Sequence, residues 1–195
     1  CKAYFVNILA IDKKDFDKAF KKALKEQVRI KEELKKEGEK IIKYAKETQT
    51  PTILIVSRPY HIDPLINHKI PETIASFGIN VLTEDGLDID QSLADVQVLT
   101  QWSYPNKMFK AALWAAAQKD LKLEVIQINS FGCGPDATTS DEIKSILNSY
   151  GKNPTLIKVD EISSPGSIRL RIRSMIESMK MKGDFVYREK PERTY

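Results

Sequence analysis

The sequence has 195 residues, a formal net charge of +4 and a hydrophobic content of 42%, which suits one domain with a helical appendage. It contains no window that approaches ~18 unbroken apolar residues, so no membrane-spanning helix and no membrane partner are expected. Two cysteines in a chain of this length exclude a disulfide framework and favour a reducing, cytoplasmic setting.

A long helix is the first predicted element, and it spans residues 12–47. Asp12 is a suitable N-terminal cap, apolar residues recur at the spacing of one helix face, and Gly38 is a candidate break. The segment holds 13 Lys/Arg and 9 Asp/Glu, with charges of both signs alternating along it. Such alternation is typical of a solvated face, so no nucleic-acid partner is expected.

The rest of the chain alternates strands with helices. Short β-branched runs predict strands over residues 52–57, 79–83, 123–128 and 155–160. Capped or glycine-terminated segments predict helices over residues 70–78, 92–99, 106–120, 138–151 and 166–181. This alternation predicts an α/β fold with a four-stranded parallel, doubly wound sheet, flavodoxin-like or Rossmann-like, behind an N-terminal helical segment.

The composition changes near residue 50 and again near residue 183. We therefore divide the chain into a helical lead-in or linker over residues 1–49, an α/β domain over residues 50–182 and a tail over residues 183–195. The first residue is Cys1 rather than Met, so we expect a mature form or a piece of a longer protein, with partner residues elsewhere.

The loops that follow the predicted strands carry most of the unusual polar and aromatic residues. In open α/β sheets, ligands bind beyond the carboxyl ends of the strands, near the point where the strand order reverses. Arginine suits a phosphate or carboxylate group, and aromatic rings suit stacking. We therefore predict a substrate crevice lined by Arg58, Tyr60, His61, Trp102, Tyr104 and Asn129.

The interior cysteine, Cys133, lies in the stretch NSFGCGPDA, directly after a predicted strand. Glycine on both sides lets the backbone approach a ligand closely. Three roles fit this thiol: a metal or cluster ligand, a nucleophile activated by His61, or a small side chain in a tight loop. An alternative for this edge is a non-redox module, in which Arg58 and the helix N-terminus near Thr139 hold a nucleotide or CoA phosphate.

Five separated motifs resemble, in their order, a known family: SRPYHIDPLINHKIPE, LTEDG, WSYPN, NSFGCGPDA and DEISSPGSIRLRIRS. Over roughly residues 50–178 the chain resembles the C-terminal part of activase-related proteins of the 2-hydroxyacyl-CoA dehydratase group. These are the CoA-substrate-specific enzyme activase-related proteins. The helical segment before residue 50 resembles their lead-in less distinctively.

The resemblance implies a cofactor and partners. Long family members join ATP-hydrolysing activase modules to a dehydratase-like module that binds a [4Fe–4S] cluster through cysteines. ATP drives an electron onto that cluster at low potential, for removal of water from 2-hydroxyacyl-CoA. Cys133 would be one thiolate ligand, with the other ligands and the partners (upstream domains, activase modules and acyl-CoA) outside this sequence. By itself the chain is expected to hold no cluster and to be inactive, whereas its parent would be an ATP-dependent activase or a dehydratase-like lyase.

Overall fold

The computed structural model describes four stretches of the chain: residues 2–94, 96–98, 101–159 and 165–181. Cys1, the predicted tail and part of the loop after the fourth strand lie outside these residues. No helix in the described stretches is long and apolar enough to cross a membrane.

Two helices precede the α/β domain. Helix α1 spans Lys2–Asn7 and helix α2 spans Lys13–Thr48. The carboxylate of Asp12 accepts the backbone N–H groups of Lys14 and Asp15 at 2.7 and 3.2 Å. These bonds satisfy two of the donors that the start of a helix leaves open, which confirms Asp12 as the cap.

The sheet has four parallel strands in the order β2-β1-β3-β4. The strands are β1 (Thr52–Val56), β2 (Asn80–Thr83), β3 (Leu123–Ser130) and β4 (Thr155–Val159). The later helices are α3 (Ile70–Ser76), α4 (Ser103–Ala117), α5 (Gly134–Ser149) and α6 (Pro165–Met181). This confirms the predicted α/β class, and the strand order reverses between β1 and β3.

Alternate side chains of the central strand pack on opposite faces of the sheet. Leu54 and Val56 pack into a core that also holds buried residues of α2, α4 and α5. Ile53 and Ile55 pack on the other face, against α3 and α6. All five residues of β1 are buried, so both faces of the strand are covered. Its sequence is accordingly mostly apolar, without the alternation of polar and apolar residues that a half-exposed strand shows.

The predicted helix over residues 92–99 is absent from its described residues, 92–94 and 96–98. Two backbone N–H groups there donate to side-chain oxygens instead of to helical carbonyl groups. The hydroxyl of Ser92 accepts the N–H of Ala94 at 3.2 Å, and the carboxylate of Glu142 accepts the N–H of Gln97 at 3.0 Å. Bonds of this kind compete with the helical pattern, which explains the error.

Helix α5 begins earlier than predicted, and this changes the site. Cys133 is its N-cap and Gly134 its first residue, whereas the sequence pattern placed the start near residue 138 with Ser140 as cap. Ser140 instead lies inside the helix, where its hydroxyl donates to the carbonyl of Asp136 at 2.7 Å. Thr139 is buried inside it as well, so the helix N-terminus is next to the cysteine and not near Thr139.

Gly38 does not break α2, as the sequence suggested; it is the point where α2 touches the domain. A Cβ atom added at Gly38 would lie 1.7 Å from the carbonyl oxygen of Gly86. Gly86 ends a short 3-10 helix, Glu84–Gly86, that directly follows β2. Glycine is needed here because two backbones meet without room for a side chain.

Replacing Gly38 by alanine should therefore lower the free energy of unfolding by about 2 kcal/mol or more, because backbone must move to admit the methyl group. In an open helix the same change stabilises by roughly 0.5–1 kcal/mol, so the sign of the effect is diagnostic. Urea denaturation measures it, with the exposed Lys36→Ala on the same helix as control. A more stable Gly38→Ala variant would contradict the contact.

Candidate functional site

An ion pair joins the loops after β1 and β3 at the carboxyl edge of the sheet. The Nε of Arg58, two residues after β1, donates to Oδ1 of Asp136, in the first turn of α5, at 2.5 Å. Only 20% of the Arg58 side chain and 3% of the Asp136 side chain are exposed. Burial by itself lowers the pKa of Arg58, but the hydrogen bond and charge of Asp136 outweigh burial and raise it. The arginine is therefore a fixed cation at this edge.

His61 lies beneath this pair and is almost fully buried. Its Nδ1 accepts the backbone N–H of Arg58 at 3.3 Å, and its Nε2 lies 3.2 Å from the hydroxyl of Ser130. An acceptor at Nδ1 places the hydrogen of the neutral ring on Nε2, which then donates to Ser130. Burial lowers the pKa of His61, and the nearby Arg58 lowers it too, while Asp136 only partly opposes them. The ring is thus held neutral and in one tautomer.

Tyr60 covers the outer side of His61. The two ring centroids are 4.4 Å apart, and the Tyr60 hydroxyl lies 3.1 Å from the hydroxyl of Ser130. Tyr60 as a whole is 45% exposed. Tyr60 therefore links a buried polar group to the open edge of the site.

Cys133 occupies the loop on the other side of the ion pair. It is half-buried at the N-terminus of α5, close enough to Arg58 to affect the pKa of that guanidinium. A cavity of about 440 Å³ lies beside it, with Ser130, Asp136 and Lys158 in the wall. A Cβ atom added at Gly132 or at Gly134 would meet nothing within 4 Å. The cysteine thus stands on a loop that a ligand can approach.

Asn129 is buried, and it also lines the cavity beside Cys133. Its Nδ2 donates to the hydroxyl of Ser140 at 2.5 Å and to the carbonyl of Asp136 at 3.5 Å. The first turn of α5 is thereby tied to the end of β3. The Oδ1 of Asn129 is buried and has no hydrogen-bond partner among the described residues.

The two aromatic candidates from residues 100–106 lie apart from the ion pair. Trp102 is 58% exposed and lines a separate, mostly apolar cavity of about 540 Å³ with Phe109 and Pro135. Gly134 borders both this cavity and the one beside Cys133. Tyr104 is exposed in the first turn of α4.

Sequence reasoning missed Ser130 and Asp136, which connect the other site residues. The signal for Asp136 was available: an acidic residue directly after Gly-Pro is typical of a first helical turn. Ser130 gave no comparable signal, because β3 runs two residues beyond its predicted end. Within the described residues, no group of three or more His, Cys, Asp or Glu side chains is arranged to hold a metal ion.

Residues 1–87 match the protein family described as CoA enzyme activase uncharacterised domain. This part of the chain is therefore similar to a domain of CoA enzyme activase-related proteins. The match confirms the predicted resemblance, and it includes the helical lead-in that resembled the family less distinctively. No curated protein and no solved structure matches the chain.

The candidate site joins residues from inside and outside the activase-related match. Arg58, Tyr60 and His61 belong to the matched residues. Cys133 and Asp136 lie beyond them and reach the site through β3 and α5. The ion pair between Arg58 and Asp136 therefore connects the matched residues to the later part of the chain.

Replacing Asp136 by alanine should lower the free energy of unfolding by about 2–4 kcal/mol, because it leaves the Arg58 cation and the Ser130 N–H without their acceptor. The loss should be smaller in an Arg58→Met background, where no unpaired cation remains. Urea denaturation of the four proteins in this cycle measures the coupling, with the exposed Asp141→Ala on α5 as control. Equal losses in both backgrounds would contradict the ion pair.

The pKa of His61 should lie below the ordinary histidine value, because its burial disfavours the imidazolium form. Arg58→Gln should raise this pKa and Asp136→Asn should lower it. Since the folded state binds the proton less tightly than the unfolded state, the stability contributed by His61 is present above the ordinary histidine pKa and is lost as the pH falls. An NMR titration of the imidazole signal, assigned with His61→Gln, tests the direction; an unchanged pKa in Arg58→Gln would refute the arrangement.

Proposed function

We propose that this activase-related chain supplies Cys133 as one thiolate ligand of a [4Fe–4S] cluster whose other ligands come from other segments or partner domains. In this proposal the cluster carries electrons at low potential, driven by ATP hydrolysis in activase modules. The observation that carries the proposal is the position of Cys133: half-buried, at a helix N-terminus, beside the Arg58 cation and an open cavity.

The surroundings of Cys133 suit the ligand role. A helix N-terminus carries partial positive charge, whereas the charge of the nearby Arg58 guanidinium is paired with Asp136. The helix N-terminus favours a bound group with net negative charge, such as a thiolate-bound iron–sulfur cluster. Because the described residues offer one thiol, the fit is that of a single ligand and not of a complete cluster cage.

The other site residues act as positioning groups. Asp136 holds Arg58 in place, and the neutral His61 fixes the backbone of the β1 loop through Nδ1. Gly132 and Gly134 leave room for an approaching group. The apolar cavity lined by Trp102 shares Gly134 with the cavity beside Cys133. In the proposal, it receives the acyl part of an acyl-CoA substrate.

Two other roles for this edge fit the geometry less well. Gly132, Gly134 and Ala137 have the spacing of a dinucleotide-binding turn. A phosphate at the start of α5 would nevertheless lie beside the Asp136 carboxylate, which already neutralises Arg58. A nucleophilic Cys133 needs a base, but His61 uses its nitrogens on Arg58 and Ser130. A cluster ligand needs neither a free cation nor a free base at this position.

Cys133→Ala in the intact polypeptide that carries this chain, prepared anaerobically, should abolish or strongly change the cluster signal. Iron and sulfide analysis and the reduced EPR spectrum provide the measurement. Cys1→Ala is the matched cysteine control for thiol loss, and Phe131→Ala is a control for disturbance of the exposed loop. Unchanged iron content and spectrum in Cys133→Ala would refute the ligand assignment.

A further inference from the structure

A third cavity lies on the same edge of the sheet, between α2 and α4, and no residue of the candidate site lines it. Its volume is about 410 Å³, within the range of small-ligand pockets. Its wall includes Lys35 of α2, Lys107 and Lys110 of α4, and Glu84, which directly follows β2. Three lysines around one small cavity indicate an anionic ligand.

The lysines differ in how they are paired. Lys35 forms an ion pair with Asp88, and Lys107 forms one with Asp85. Lys110 is half-buried and has no ion-pair partner among the residues that the structure describes. Because Lys35 and Lys107 are paired, Lys110 is the lysine of this cavity whose charge is most available to an anionic ligand.

Glu84 supplies a second, independent indication of a ligand. Glu84 is 6% exposed, and its Oε1 accepts the backbone N–H of Ser57 at 3.3 Å. Its Oε2 is buried and has no hydrogen-bond partner among the described residues. A buried carboxyl oxygen without a partner is uncommon and costly, and a bound group that pairs with it removes the cost.

We propose that this cavity binds a small organic oxyanion, held by the charges of Lys107 and Lys110 and by a hydrogen bond from the Glu84 carboxyl. The first turn of the 15-residue helix α4 also faces the cavity, through Ser103 and Asn106, and its N-terminal dipole favours negative charge. Leu87, Ile89 and Leu93 form an apolar wall, which suits an organic substituent on the anion.

Such a bond requires a protonated Glu84. Burial raises the pKa of Glu84 to about 7, and the charge of Asp85 adds to this, whereas its own backbone N–H, Lys107 and the Ser57 N–H oppose it. Lys35 from α2 and Lys110 from α4 face the same cavity. As the pH rises through this value, the carboxyl loses its proton and repels the anion, so the site is expected to release its ligand.

Sulfate is the first probe, because it keeps its charge across the neutral range. NMR titration of the full 195-residue chain should show saturable shifts at Lys107, Lys110 and Ser57, with affinity falling about tenfold between about pH 6 and about pH 8. Glu84→Gln keeps a neutral donor, so its sulfate affinity should vary little with pH. Lys110→Gln should weaken binding at both pH values, and Lys36→Gln, an exposed lysine of α2, should not.

Two results would overturn the proposal: sulfate binding that is the same in Lys110→Gln, or a pH dependence that persists in Glu84→Gln. The affinities of pentanoate and butyl phosphate, compared at the lower pH, then identify the head group as carboxylate or phosphate. If neither compound binds more tightly than sulfate, the assignment of an organic anion is overturned. Cys133→Ala should leave all these results unchanged, so this test succeeds or fails independently of the proposed cluster ligand.

Discussion

The ion pair between Arg58 and Asp136 is the contact on which the carboxyl edge of this protein depends. It joins a loop of the matched region to a helix start that lies 78 residues further along the chain. The same carboxylate accepts the Ser130 N–H at the end of β3. One buried anion therefore fixes the arginine, the end of a central strand and the first turn of α5, and so determines where Cys133 stands.

Two buried carboxyl groups on this edge have different partners. Asp136 has a guanidinium and a backbone N–H, one on each oxygen. Glu84 accepts the backbone N–H of Ser57 on Oε1, and its Oε2 has no hydrogen-bond partner among the described residues. Burial penalises the charge of both groups, but only Asp136 has a directly bonded cation to offset that penalty. Asp136 is therefore suited to a structural role, and Glu84 is suited to ligand binding that depends on pH.

The sequence was a good guide to the sheet and to the edge that carries the site. β-branched runs and their spacing suffice for parallel strands, and the strand-end loops follow from them, so Arg58, His61 and Cys133 could be placed together. Partners across long sequence separations could not be predicted, and Asp136 and Ser130 were missed for that reason. The start of α5 was misplaced because Gly-Cys-Gly-Pro reads locally as a loop, although proline is well accepted in a first helical turn. The close approach of Gly38 to Gly86 likewise depends on tertiary packing that no local pattern reports.

The hydroxyl of Ser130 has a consequence for what can bind to Tyr60. The backbone N–H of Arg58 can only donate, so His61 accepts at Nδ1 and donates from Nε2 to Ser130. The Ser130 hydroxyl lies 3.1 Å from the Tyr60 hydroxyl, and its oxygen has two lone pairs, so either hydroxyl can be the donor of this bond. The exposed phenol is the member of this hydrogen-bonded chain that an outside group can reach, and it can serve that group as a donor or as an acceptor.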